Sequence, residues 1–105
     1  MKAFEYLEQT SQKRMDDLFA FLRYPSVSAK SEHKGDIANC AEWLKNHFAS
    51  IGFKSTIHPT AGHPIVYAEY IVGPHVPTIL YYGHYDVQPP EPFELWTTPP
   101  FEPTI

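Results

Sequence analysis

The sequence predicts an α/β fold in which two N-terminal helices pack on a mixed β-sheet. Two segments with helical periodicity come first, and three segments rich in β-branched and aromatic residues follow them. The chain of 105 residues has room for one small domain. Its apolar fraction of 43% and charged fraction of 19% are typical of a globular protein that builds a hydrophobic core.

The first helix is predicted from about residue 3 to residue 23. This segment contains neither Gly nor Pro, and its apolar residues recur at spacings of three and four, which is the pattern of one helix face. The residues of this face are Met15, Leu18, Phe19 and Leu22. Tyr24-Pro25 ends the helix, because proline disfavours helical geometry at the residue before it.

The second helix is predicted from a longer apolar stripe with helical spacing. The stripe consists of Ile37, Cys40, Ala41, Leu44, Phe48 and Ile51. Gly52 follows the last of these residues and predicts the end of the helix, because glycine readily adopts the left-handed conformation found there.

Three strands are predicted after this helix. In the first, Phe53 to His58, apolar and polar residues alternate as they do in a half-buried strand. Ile65 to Val72 is rich in β-branched and aromatic residues and predicts the second strand. The third, Thr78 to Tyr82, is the most continuously apolar and is therefore expected at the centre of the sheet.

The chain beyond Val87 is expected to be irregular. Six prolines lie between Gln88 and Pro103, together with several large aromatic residues, which excludes a helix or a central strand. We predict a packed loop anchored by Trp96. The end of the sequence at Ile105, without a turn, cap or polar tail, is expected of a fold cut partway through.

Composition excludes several classes of function. The net charge of −4, with acidic and basic residues mixed, gives no positive surface for nucleic acid. No apolar run approaches the roughly 18 residues of a transmembrane helix. The single cysteine, Cys40, cannot form an internal disulfide, and the N-terminus is too charged for a secretion signal, so we expect a cytoplasmic protein.

The candidate site is the pair His84 and Asp86, which follows the predicted central strand. Ligand sites of α/β sheets lie beyond the carboxyl ends of the strands. In an extended chain these two side chains point to the same side and Tyr85 points to the other. A neutral imidazole binds Zn²⁺, and a nearby carboxylate commonly orients it. For an isolated His-x-Asp, two hydrogen-bonded residues in an ordinary loop would be the first interpretation. The apolar strand before the pair, Gly83 and the proline-rich loop after it favour a ligand site here.

Other residues with reactive side chains are interpreted as structural. Cys40 lies on the apolar stripe and is expected in the core. Ser26 and Ser28 lack the Gly-x-Ser-x-Gly turn of a serine hydrolase. The remaining histidines are expected to be surface or snorkelling residues rather than ligands: His33, His47, His58, His63 and His75. The aromatic segment from Phe93 to Phe101 is interpreted as packing rather than as a peptide-binding groove.

Four motifs in the sequence resemble the M20 metallopeptidase family, in particular its dipeptidase-like branch related to carnosine dipeptidases. They are F-L-R-Y-P-S-V-S, A-E-W-L-K-N-H-F-A-S-I-G-F, Y-G-H-Y-D-V-Q-P-P and E-L-W-T-T-P-P-F-E-P. The resemblance covers essentially the full chain. It implies that residues 1–105 are the N-terminal part of a single α/β/α catalytic domain, without the lid or dimerisation domain that is inserted later.

The resemblance also implies chemistry and site residues. His84 matches the family's first metal-binding histidine, and Asp86 matches the aspartate that supports this histidine and is counted among the catalytic residues. The implied reaction is hydrolysis of a peptide or amide bond in a small peptide, using two zinc ions, with manganese or cobalt as alternatives. The other ligands and the glutamate base belong to segments beyond residue 105, and the intact parent is a candidate homodimer.

Since the chain supplies one metal ligand where zinc sites need three or four, we expect the 105 residues alone to be inactive. Two alternatives remain open. One is an M20 amino-acid deacylase instead of a dipeptidase. The other is a stand-alone interaction module without catalysis, which a stop codon directly after Ile105 would favour and a continuing reading frame would not.

Overall fold

The computed structural model describes residues 1–105 and contains both helices and strands, which confirms the predicted α/β class. The helices are α1 (Ala3–Gln9), α2 (Ser11–Leu22) and α3 (Lys34–Ser50), and the strands are β1 (Lys54–His58) and β2 (Ile65–Glu69). Short 3₁₀ turns occur at Ser31–His33 and Phe93–Leu95. None of the helices has the length and apolar character needed to cross a membrane.

Contacts divide the chain into two units. One consists of Met1–Pro25 together with Pro90–Ile105, and the other consists of Ser26–Pro89. The second unit contains α3, both strands, and the predicted site residues His84 and Asp86. The site is therefore built within a single unit.

In the first unit, the predicted helix over residues 3–23 is two helices, because the chain breaks at Thr10. The Thr10 hydroxyl donates a hydrogen bond of 2.7 Å to the Tyr6 carbonyl oxygen. Its backbone leaves helical geometry, with φ −104° and ψ 9°. Threonine side chains of this kind compete with the helical hydrogen bonds. The helix end is stabilised by Arg14, which donates a bond of 2.6 Å to the Leu7 carbonyl oxygen.

The proline-rich segment of the first unit is irregular, as predicted, apart from the turn at Phe93–Leu95. Trp96 anchors it through a hydrogen bond of 2.8 Å from Nε1 to the Pro90 carbonyl oxygen. The prediction of a packed loop is wrong for two of its aromatic residues, since Trp96 is 50% exposed and Phe93 is 55% exposed. Both line an open surface groove of about 310 Å³.

The core of the second unit lies under α3, which packs against β1 and β2. Three side chains of the predicted stripe are fully buried: Ile37, Cys40 and Ala41. Val27, which precedes the helix, is also fully buried and completes this small core. Ile51, at the end of the stripe, is exposed. The helical periodicity therefore identified the buried face correctly, except at the last turn.

Helix α3 ends at Gly52, as predicted. Gly52 has a φ of 97°, and its amide donates a 3.1 Å hydrogen bond to the Ala49 carbonyl oxygen. The amide of Phe53 donates a 3.0 Å hydrogen bond to the Phe48 carbonyl oxygen, five residues earlier, and the two phenyl rings lie 5.7 Å apart. This combination of two hydrogen bonds and an apolar contact is the Schellman motif, which needs a left-handed residue at this position.

β1 and β2 form an antiparallel pair in which Ser55 faces Ala68 and Ile57 faces Val66. Burial alternates along β1, as the period-two pattern predicted, with Ser55 and Ile57 on the more buried side. β2 ends at Glu69, three residues before the predicted end. α3 packs against this pair, and the exposed residues Lys54, Thr56 and His58 form the outer face of β1.

The predicted third strand is wrong as a sheet strand in this structure. Residues 78–82 form no strand, because β1 and β2 pair with each other and the sheet has no further member. The apolar run is instead at the surface, with Leu80 90% exposed and Tyr82 94% exposed. The composition of residues 78–82 favours burial in a sheet. A strand forms, however, only beside another strand to which its backbone can hydrogen-bond.

The turn at Gly52 generates a stability prediction. We expect Gly52→Ala to lower the free energy of unfolding by about 1–2 kcal/mol, because alanine in the left-handed region is strained. A methyl group itself would meet only Tyr70 at an ordinary 3.8 Å. Urea unfolding followed by circular dichroism measures the change.

Gly35→Ala is the matched control for this substitution. Gly35 lies in the first turn of α3 and has open space around it, so alanine there should leave stability unchanged or raise it by up to about 1 kcal/mol. Equal stability of Gly52→Ala and the unmodified chain would contradict the role assigned to the turn.

Candidate metal centre

Two short segments that are distant in sequence pair with each other and position the candidate site. Val27 and Val87 form a parallel bridge, in which the Val87 amide donates a 2.9 Å hydrogen bond to the Ser26 carbonyl oxygen. The buried Ser26 hydroxyl donates a 2.7 Å bond to the Tyr85 carbonyl oxygen. The backbone on both sides of Asp86 is therefore fixed against the chain that enters α3.

The turn between β1 and β2 braces the same pairing. His63 Nε2 donates a 3.0 Å hydrogen bond to the Ser28 carbonyl oxygen. The Tyr85 hydroxyl donates a 2.6 Å bond to the Pro64 carbonyl oxygen. Burial, with a smaller effect from nearby Cys40, raises the pKa of Tyr85, so its hydroxyl stays protonated as a donor. Tyr85 thus points away from the candidate site, as the extended pattern predicted.

His84 and Asp86 lie on the same side of the chain and contact each other. His84 Nδ1 lies 3.0 Å from Asp86 Oδ1 and 3.0 Å from the Asp86 carbonyl oxygen. The other carboxylate oxygen, Oδ2, accepts a 2.5 Å hydrogen bond from the Ser28 hydroxyl. The side chains of Ser28, Asp86 and His84 therefore form a continuous hydrogen-bonded chain.

This geometry determines the tautomer of a neutral His84. Both groups near Nδ1 are oxygen atoms that can only accept, because Asp86 is ionised and a carbonyl oxygen carries no proton. Nδ1 must therefore carry the proton, which leaves the lone pair on Nε2. The His84 side chain is 74% exposed, so this lone pair is accessible from outside the unit. An imidazole in this state fits one coordination position of a metal ion.

Asp86 is held in its ionised form. The hydrogen bond from Ser28 and a smaller contribution from His84 lower the pKa of this carboxyl group, although partial burial opposes them. Asp86 is thus a carboxylate at neutral pH, which is the form that accepts a hydrogen bond from the imidazole N–H. A carboxylate that accepts from Nδ1–H makes the opposite nitrogen a stronger ligand.

The chain does not contain a complete metal site. No group of three His, Cys, Asp or Glu side chains converges anywhere in residues 1–105. Bound zinc requires three or four protein ligands, and His84 supplies one. The described residues therefore fit one ligand position with its supporting carboxylate, and nothing more.

The structure places the other candidate residues in structural roles. Cys40 is fully buried in the core, as predicted. Three histidines contact residues close to them in sequence, namely His33 with Asp36, His47 with Trp43 and His58 with Thr56. His33, His47 and His63 are half-buried, and His63 is bonded to the Ser28 carbonyl oxygen.

Ser26 and Ser28 support the site, which the sequence did not predict. Their sequence context excluded a serine nucleophile, and in the structure neither hydroxyl contacts a histidine ring. The signal available was Ser-Val-Ser directly after the proline that ends the preceding helix, a short segment with small polar residues around a β-branched one. Its partner lies 59 residues away, so no local pattern identifies it.

Proteins named as dipeptidases match almost the whole length of the chain. It is 27% identical to the Cys-Gly metallodipeptidase dug1 of Schizosaccharomyces pombe, over 99% of this chain and 24% of that protein. It is 30% identical to the cysteinylglycine-S-conjugate dipeptidase of Corynebacterium striatum, over 91% of this chain and 21% of that protein. The chain thus spans about a quarter of the length of these relatives.

A second class of hydrolase matches a shorter part of the chain. Succinyl-diaminopimelate desuccinylase 1 of Alteromonas mediterranea is 35% identical over 65% of this chain and 17% of its own length. No protein-family model matches the sequence.

The fold has a close counterpart among solved structures. The dipeptidase Dug1p of Saccharomyces cerevisiae superimposes with a TM-score of 0.85 at 22% identity, covering 94% of this chain and 23% of Dug1p. The resemblance to M20-type dipeptidases is therefore confirmed in sequence, and the α/β fold matches a fragment of a dipeptidase.

The chemistry of Cys40, in the core beneath the site, is predicted to be that of an inert thiol. Burial raises its pKa to about 11, against a smaller opposing effect of a hydrogen bond with Ser26. At pH 8 roughly one thiol in a thousand is then ionised, and the side chain is inaccessible. We expect a colorimetric disulfide reagent to react slowly with the native chain and quickly in urea; fast reaction of the native chain would contradict the core assignment.

Proposed function

We propose that residues 1–105 are the N-terminal part of the catalytic domain of a zinc-dependent metallodipeptidase of the M20 type. In this proposal His84 is a metal ligand, and Asp86 is the carboxylate that orients it and takes part in catalysis. The chain would bind one side of the metal site, and the remaining ligands and the general base would come from other parts of a longer protein. The lid or dimerisation domain would likewise lie outside these residues.

The observation that carries the proposal is the state of His84. Its Nδ1 proton is engaged by Asp86, so the exposed Nε2 presents a lone pair at the end of a segment fixed by Ser26. A structural histidine usually satisfies both nitrogens or packs its ring, as His47 does against Trp43 in this unit. Dipeptidase relatives that match nearly the whole chain, and are named metalloenzymes, support a metal as the missing partner.

A bound zinc ion would polarise the scissile carbonyl group and lower the pKa of a water molecule towards neutrality. His84 would hold the metal through Nε2 while its proton stays on Nδ1. Asp86 would keep the proton on Nδ1 by accepting a hydrogen bond from it. Zinc is proposed because it favours imidazole and carboxylate ligands at neutral pH, and manganese and cobalt accept the same donors.

A dipeptide is the proposed substrate, and cysteinylglycine is the first one to test, because one relative is named for Cys-Gly and another for S-conjugates of cysteinylglycine. The second candidate is an amino-acid deacylase, which the desuccinylase match favours. We prefer the dipeptidase, because dipeptidases match 91–99% of the chain whereas the desuccinylase matches 65%. A cytoplasmic location is proposed from the single, buried cysteine, which forms no internal disulfide.

The incomplete ligand set leads to a prediction for the chain alone. We expect purified residues 1–105 to hydrolyse no cysteinylglycine with added Zn²⁺ and to bind zinc weakly, because one imidazole cannot replace three or four ligands. Hydrolysis assays and competition with a chromogenic chelator measure both properties. Robust turnover would show that the chain holds a complete site and would overturn this ligand assignment.

A chimera tests the function itself. Residues 1–105 can replace the matching quarter of the Schizosaccharomyces pombe dipeptidase, which aligns with 99% of the chain. We expect the chimera to bind metal and to hydrolyse cysteinylglycine. Asp86→Asn should reduce metal affinity or activity roughly 10- to 100-fold, and His84→Ala should reduce both further. Metal content and kcat/KM are the measurements.

His75→Ala is the matched control in the chimera, since His75 is an exposed histidine of the same unit without an assigned role. It should leave metal content and activity unchanged. A folded chimera that binds no metal, or one in which His84→Ala and His75→Ala behave alike, would contradict the proposed function.

A further inference from the structure

We infer that Ser28 is a positioning residue of the candidate site, which holds the Asp86 carboxylate so that His84 keeps its proton on Nδ1. The inference rests on the proposed function for its biological meaning, but the arrangement belongs to this chain. Ser28 lies 58 residues from Asp86 in sequence, and its hydroxyl donates to Oδ2 at 2.5 Å. This is the shortest hydrogen bond in the immediate surroundings of the site.

The carboxylate has two oxygen atoms with separate tasks. Oδ2 accepts from Ser28, and Oδ1 accepts from His84 Nδ1 at 3.0 Å. Without a donor on Oδ2, rotation about the last side-chain bond would be restrained only by His84 itself, which is 74% exposed to competing water. The Ser28 hydroxyl therefore restricts rotation of the Asp86 carboxylate more than the His84 imidazole can alone.

Ser28 is itself fixed from a second direction. Its carbonyl oxygen accepts a 3.0 Å hydrogen bond from His63, so the backbone at Ser28 is tied to the turn between β1 and β2. The adjacent bridge between Val27 and Val87 fixes the spacing between the two segments. A rigid donor of this kind restricts the carboxylate more than a mobile side chain or water would.

Ser26 is a useful contrast, because it lies on the same segment and makes a comparable hydrogen bond to a different atom. Its hydroxyl donates to the Tyr85 carbonyl oxygen at 2.7 Å and does not touch the carboxylate. Loss of either hydroxyl removes one bond between the two segments. Only the Ser28 hydroxyl bonds directly to the Asp86 carboxylate, which accepts from His84 Nδ1, so its loss should have the larger effect on the tautomer of His84.

The test is nitrogen NMR of His84 in the 105-residue chain, without metal, at a pH where the imidazole is neutral. The chemical shifts of the two ring nitrogens report the populations of the two tautomers. We expect the Nδ1–H form to dominate in the unmodified chain. Ser28→Ala should lower the ratio of the Nδ1–H form to the Nε2–H form by roughly three- to tenfold, the effect typical of one hydrogen bond.

Two further variants separate positioning from folding. Ser28→Thr keeps the hydroxyl and should retain the tautomer ratio. Ser28→Val, which is isosteric with the threonine variant but has no hydroxyl, should lower the ratio to the same extent as Ser28→Ala. This pair decides the question even if alanine disturbs the fold. Ser26→Ala should reduce stability, since the serine is buried, and should change the tautomer ratio less than Ser28→Ala does, because its hydroxyl bonds only to the backbone next to Asp86.

An unchanged ratio in both Ser28→Ala and Ser28→Val, or an equal change in Ser26→Ala, would overturn the inference. The outcome is independent of metal binding. If the ratio depends on Ser28 but the chimera binds no metal, the positioning role holds for this histidine and the proposed function fails. If the chimera is active and the ratio ignores Ser28, only the positioning role fails.

Discussion

The candidate site depends on one long-range pairing, that of Ser26–Ser28 with Tyr85–Val87. These segments are nearly 60 residues apart, so their pairing closes a long loop. Closing a loop of that length costs conformational entropy, which a few hydrogen bonds do not offset. The core of α3 and Val27 supplies the rest, because fully buried apolar side chains lie directly beneath the bridge. The site geometry is therefore a consequence of how the Ser26–Pro89 unit packs.

The pairing also explains how a polar pair can be ordered at an exposed position. An isolated histidine and aspartate at the surface gain little from each other, since water competes for both. Here the carboxylate is bonded from behind by Ser28, and its backbone is fixed on both sides by Ser26. The imidazole meets an acceptor whose position is already determined. Order at the surface thus comes from partly buried groups rather than from the exposed pair.

The sequence was sufficient for features encoded by nearby residues. Periodicity identified the buried face of α3 and the alternation of β1, and Gly52 identified the end of the helix, because each depends on residues within a few positions. The spacing of His84 and Asp86 also predicted that they lie on the same side of the chain. The sequence did not predict the break at Thr10, where a side chain competes with the helical hydrogen bonds. It also did not predict the hydrogen bonds made by Ser28 and His63, whose partners are distant in sequence.

The exposed run before the site connects these points with the proposed function. Residues 78–82 carry the composition of a central strand but have no strand beside them, and His84 follows at once with one free ligand position. In α/β sheets, ligand-binding residues lie in loops that follow the carboxyl ends of neighbouring strands, at one edge of the sheet. Under the proposed function, neighbouring strands of the longer protein would cover Leu80 and Tyr82. Loops from those same strands would then lie next to His84. Packing of these strands would therefore both bury the apolar run and bring further metal ligands to His84.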